Sequence, residues 1–234
     1  KNKQARKVRE FVDSQLEQTE QRLKASEERL RKMREEGSAT GIATIIESRI
    51  FDVQTHHVAI GRRFFGSADL LDFRRNARQW NPELKKSEPK TEDLYLENYV
   101  KEIFLDSDTD VAAISGVPSL TDETNILPPD KMVQTRAWVN QITRSRRVVS
   151  HGLTSPDLGE QNRERMHRQA EKLKIDAWKG YTGQGLGPNP EGWWLDDEKV
   201  SYPALEYSRK LKVKNICVHK GLALGFFNEE HCHP

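Results

Sequence analysis

The pattern of apolar and polar positions divides the chain into two textures. Up to about residue 36 there is neither Pro nor Gly and charged residues dominate. Leu16, Leu23 and Leu30 recur once per heptad there, with Val12, Thr19, Ser26 and Met33 at the interleaved positions. That spacing predicts a long amphipathic helix over 1–37, packed on its own domain or forming a short coiled coil. Gly37 ends it, because glycine reaches the left-handed conformation at low cost. From residue 38 onward, apolar runs alternate with charged helical stretches. RIFDVQTHHV, DVAAISGVPS, RVVSHGLTSPD, KIDAWKGYTG and NICVHKGLALG read as strands. TEDLYLENYVKEIFLDS, with Thr91 as its N-cap, PDKMVQTRAWVNQITRSR, EQNRERMHRQAEKL and SYPALEYSRKLKV read as the helices between them. Such alternation implies right-handed crossovers and a parallel sheet with helices outside.

Every predicted strand closes on polar or ionisable residues: Gln54, His56 and His57; Ser115 with Gly116; His151; Lys179; His219 with Lys220. In parallel α/β sheets the chemistry gathers outside the carboxyl ends of the strands, where loops from several strands converge. No GxGxxG follows the first strand and no phosphate-binding GxxxxGK[ST] occurs, so nucleotide readings lose their main support. A barrel with a site at its mouth is favoured over an open doubly wound sheet. Consecutive side chains on a strand point to opposite faces, so His56 and His57 cannot both face a barrel axis; His56, with Gln54 two positions before it, is the expected inward pair.

Composition changes this picture little. The 38 basic and 36 acidic residues nearly cancel, which gives no general polyanion-binding surface, so nucleic acid is not an expected partner. Cys217 and Cys232 form no CxxC pair and suggest no disulfide scaffold. No apolar run is long enough for a membrane span. The location is read as cytoplasmic, although Lys1 in place of Met leaves room for an export signal upstream.

FDVQTHHV, FLDSDTDVAAISGVPS and GWWLDDEKVSYPALEYSRKLKVKNICVHKGLALG resemble the amidohydrolase superfamily, in particular the amidohydrolase-related branch of metal-dependent hydrolases and decarboxylases. The likeness runs from Ile50 to the end. It implies a (β/α)8 TIM-type barrel, of which the chain supplies about the first five β/α units after the N-terminal helix. It also implies a metal site in which Gln54 and His56 occupy the HxH positions of the first strand and His219 the fifth-strand position. Gln54 departs from the family pattern, since a neutral amide oxygen is a harder and weaker donor than imidazole. The resemblance implies a divalent metal, zinc first with manganese or iron as alternatives. Hydrolysis of a C–N or C–O bond in a small carbonyl or carboxylate compound is the first activity it implies, nonoxidative decarboxylation the second.

Lys179 stands where some relatives carry a carboxylated lysine; the plainer reading is a lysine that reaches solvent or binds a substrate carboxylate. His151 suits substrate binding or proton transfer. Asp52 is expected to be structural. Strands six to eight, with the remaining ligands of the family, are missing from these 234 residues. Either the chain is a piece of a longer one, or a second copy or another chain completes the barrel. His231, Cys232 and His233 offer further candidate ligands. Trp193 and Trp194 belong to a Gly/Pro-rich loop long enough to cover the mouth, where they act as buried anchors or stack on an aromatic substrate. Arg62, Arg63, Arg74, Arg75 and Arg78 lie in an insertion after the first strand and read as solvated surface. A noncatalytic barrel relative acting in assembly is the alternative from another class.

Overall fold

A computed structural model of the protein describes residues 17, 21, 24, 25, 27, 28, 31, 32, 50–59, 90–221 and 227–233. The chain forms two compact units, residues 1–50 with 100–110 and residues 51–99 with 111–234. In the first unit the described residues between 17 and 32 are helical, and Arg31 meets Glu28 at 2.7 Å on an exposed face. The heptad positions Val12, Leu16, Thr19, Leu23, Ser26, Leu30 and Met33, with Gly37, lie outside the described residues, as do the arginines of the insertion. A π-type turn, Lys101–Leu105, ends where the Lys101 ammonium pairs with Asp106, and the Ile50 N–H donates to the Asp110 carboxylate at 3.0 Å.

The sheet has five strands: β1 (Ile50–Thr55), β2 (Thr109–Ile114), β3 (Val148–Leu153), β4 (Ala177–Tyr181) and β5 (Ile216–His219). They lie side by side in the order of the sequence and are parallel. Strictly sequential order is what a β/α barrel uses, whereas a doubly wound sheet reverses direction part-way. Of the helix expected over 91–107 only α1 (Leu96–Val100) is α-helical, between a 3-10 turn and the π-type turn, whereas α2 (Pro129–Thr143), α3 (Glu160–Arg168) and α4 (Ser201–Lys210) fall where the 3.6-residue period puts them. Thr91 is not a cap. A short 3-10 turn begins with it, and the capping position falls on Lys90, whose N–H donates to the Asp93 carboxylate at 2.9 Å. Pro129 opens α2 at the position where its missing N–H costs no helical bond.

The core lies between sheet and helices. Trp178 is 0 % exposed and packs against Met166, Ala170, Ile175 and Ala204. Alternation along β4 then sends Ala177, Lys179 and Tyr181 to the opposite face. Register carries that face across the sheet, with His151 beside Ala177, Leu153 beside Lys179, Lys179 beside Cys217 and Tyr181 beside His219. On β1 the same alternation separates the two histidines. His57 turns toward the helices and meets the Thr135 hydroxyl at 2.9 Å, while His56 turns inward.

Buried amides fix the strand ends. Gln169 donates to the Leu153 carbonyl and accepts from its N–H, at 2.8 and 2.7 Å, and Asn162 Oδ1 accepts the Ser155 N–H at 2.9 Å.

Candidate functional site

Four adjacent strands bring Gln54, His56, Ser115, His151 and Lys179 onto one line of hydrogen bonds at the carboxyl end of the sheet. The Lys179 ammonium donates to Gln54 Oε1. The Gln54 amide nitrogen lies 3.1 Å from His56 Nε2, and His56 Nδ1 donates to the Ser115 carbonyl at 2.8 Å. The Ser115 hydroxyl meets His151 Nδ1 at 2.5 Å. The polarity is consistent throughout: ammonium to amide oxygen, amide N–H to imidazole lone pair, imidazole N–H to carbonyl.

Burial sets the electrostatics. Lys179 is 2 % exposed, and desolvation lowers its pKa to about 8. His151, also buried, is pushed down to about 4, first by desolvation and then by the positive charge of Lys179. His56 is crowded by protein and lies below the ordinary histidine range, with desolvation the largest cause and the charges of Lys179 and His219 adding to it. The residue is nevertheless exposed to solvent, which works against the shift. Both imidazoles are therefore neutral at neutral pH, and Lys179 carries the positive charge between them.

His219 is near enough to act on His56, and its ring stacks on Tyr181 with centroids 5.2 Å apart and planes 15° from parallel. Tyr181 also lies under the Lys179 ammonium, 5.2 Å from ring centroid to Nζ, and donates its hydroxyl to the Gly116 carbonyl at 3.2 Å. Ser115 enters the sequence reading only as a polar strand end with no role assigned, and Tyr181 is not named there. The i+2 relation of Tyr181 to Lys179 on one strand is the available signal for the second. Asp52 uses Oδ1 to accept the Gln54 N–H at 3.0 Å.

Of the two histidines near the end of the sequence, His231 is packed and His233 is exposed. His231 donates Nδ1 to the Glu191 carbonyl at 2.6 Å and sets its ring edge against Trp194, and Cys232 is buried. Trp193 is buried against Gly180, whereas Trp194 is 39 % exposed, so one tryptophan anchors the loop. Among the described residues no three His, Cys, Asp or Glu side chains form a metal-sized cluster, and no helix is long and apolar enough to cross a membrane.

No protein-family profile matches the sequence, and no curated protein matches it either. Solved structures of similar shape include a 2,6-dihydroxybenzoate decarboxylase complexed with 2,6-dihydroxybenzoate, at 11 % identity, TM-score 0.44, covering 76 % of this chain and 52 % of that one. A 2,6-dihydroxybenzoate decarboxylase from Rhizobium matches at 13 % identity and TM-score 0.41, over 76 % and 51 %. A 5-carboxyvanillate decarboxylase from Novosphingobium aromaticivorans, with bound manganese and 3-methoxy-4-hydroxy-5-nitrobenzoic acid, matches at 13 % and 0.46, over 77 % and 53 %. The chain spans about half the length of these structures.

Proposed function

We propose that this rim is the active site of a metal-dependent enzyme that decarboxylates a small carboxylic acid without a redox step. The observation that carries the reading is the environment of Lys179. Its buried ammonium is answered by a neutral amide and an aromatic ring, and by no carboxylate among the described residues. A desolvated cation with no carboxylate partner among the described residues, and only the Cys217 thiol beside it as a potential negative charge, favours an incoming anion, and a substrate carboxylate is that anion.

The donor set fits a divalent ion on one observation. With Nδ1 committed to the Ser115 carbonyl, the neutral His56 ring carries its lone pair on Nε2, the orientation that a carbonyl partner gives a ligating imidazole. Gln54 Oε1 and His219 are the further donors we assign, and an amide oxygen in the set widens the expected ion from zinc to manganese or iron. When bound, such an ion polarises a carboxylate or carbonyl oxygen and acidifies water.

The residues do the rest. Lys179 Nζ binds and orients the carboxylate. With its pKa near 8 it remains charged at neutral pH yet is acidic enough to give up a proton. As the C–C bond breaks and CO2 leaves, the carbon takes that one proton. His151, neutral and held at Nδ1 by the Ser115 hydroxyl, is the group we assign to return a proton from water to Lys179.

The charge of Asp52, close enough to act on His56, favours a second reading. There His56, Gln54 and His219 would hold the ion, which would acidify a water, and Asp52 would take that water's proton as a C–N or C–O bond is hydrolysed.

Purified protein supplied with Mn2+ or Zn2+ tests both. We expect CO2 release from hydroxylated aromatic acids such as 2,6-dihydroxybenzoate or 5-carboxyvanillate, reduced by about 10²-fold or more in Lys179→Met and in a His56→Ala, His219→Ala double variant. Amide or ester cleavage without CO2 release selects the hydrolase. Neither activity, with no bound metal, leaves the noncatalytic assembly role.

A further inference from the structure

The metal reading and the observed hydrogen bonds make competing demands on the same two atoms. His56 Nε2 receives the Gln54 amide nitrogen at 3.1 Å, and Gln54 Oε1 receives the Lys179 ammonium. A cation bound there must take the lone pair of the first and the oxygen of the second. Swapping the oxygen and nitrogen of an amide needs only a half-turn of its last torsion. That turn, however, would aim N–H donors at Lys179 and strip the ammonium of its acceptor. Like charges a few ångströms apart in a partly desolvated site also repel strongly. The Tyr181 ring, 5.2 Å from Nζ, offers the displaced ammonium a cation–π partner.

We propose that the Lys179 ammonium is a built-in competitor for the metal: it holds Gln54 against His56 when no metal is bound, and metal loading releases it to face the substrate carboxylate. The inference rests on the metal reading above and adds an order to it, metal first and carboxylate second. A glutamine presents a donor at one end and an acceptor at the other, and so can hold a lysine and a histidine at once.

The test uses the full chain and the metal alone. Mn2+ and Zn2+ binding is measured by equilibrium dialysis with elemental analysis for the wild type, Lys179→Met, Lys179→Arg and His56→Ala. We expect Lys179→Met to bind at least about tenfold more tightly than the wild type and Lys179→Arg, which keeps the charge, to stay within about threefold of it. Affinity unchanged or weakened in Lys179→Met overturns the proposal; complete loss would instead make the lysine a contributor of a ligand, which overturns it equally.

If Lys179→Met does not fold, the wild type decides. Amine-directed labelling of Lys179, read by mass spectrometry, should rise when metal is added, and labelling that stays level or falls overturns the proposal. Failure of the metal reading itself shows separately, as His56→Ala binding metal as tightly as the wild type.

Discussion

Ser115 holds two imidazoles with two of its atoms, the carbonyl oxygen for His56 and the hydroxyl for His151. Ser115→Ala removes the second contact and spares the first. We expect a loss of about 1 kcal/mol in urea denaturation and a changed resonance for the His151 ring, with the His56 ring unmoved. The neighbouring Gly116 has no room for a side chain, because a Cβ there would stand 2.6 Å from the Leu127 carbonyl oxygen, a backbone atom that cannot swing aside. Gly116→Ala should cost about 1–3 kcal/mol and disturb both imidazoles together. At this scale the sequence is informative wherever alternation alone decides, as in the choice of His56 over His57. It is silent on Ser115 as the joint of the site, since that role depends on how far β2 is shifted along β1, and the hydrophobic pattern leaves that shift open.

Among the elements, the starts of the strands show best what holds neighbouring β/α units together. Asp176, just before β4, accepts from Arg136 at 2.8 Å, from Arg146 at 2.7 Å and from the Ser150 N–H at 2.8 Å, joining α2, β3 and β4. Burial pushes this carboxyl up, but the Ser150 N–H and the two guanidiniums outweigh it, and the folded pKa lies below the usual value. A depressed folded pKa adds stability above the unfolded value of about 3.9 and loses it as the pH falls through the lower, folded one. Stability should therefore drop on acidification below about pH 4 in the wild type, and much less in Asp176→Asn. The variant itself should be weaker by about 1–3 kcal/mol at neutral pH in chemical denaturation. Strands and helices are readable here because each has the right period and length. The Thr91 cap is misread because a short 3-10 turn with its own Asp93 contact precedes α1, and a single threonine before an apolar run does not reveal such a turn.

For the whole molecule, the packing of one face of the sheet sets the quality of the other. Trp178 is fully buried among helix residues, while its neighbours in sequence, Ala177 and Lys179, point to the site side. Trp178→Ala should cost about 3–5 kcal/mol, lowering the melting temperature by on the order of 10 °C in a chain of this size. Loosening of Lys179 would accompany it. The sequential strand order is legible from strand–helix alternation. The packing partner of residues 1–37 is not, because a heptad pattern specifies a seam without naming what fills it.

That order carries a consequence for how the protein is made. Each new strand docks beside the one synthesised just before it, so strand pairing closes only the connection between consecutive strands, the longest of which runs from Thr55 to Thr109. Assembly can proceed like a zip from the first strand onward, with the rim imidazoles brought into line one tooth at a time.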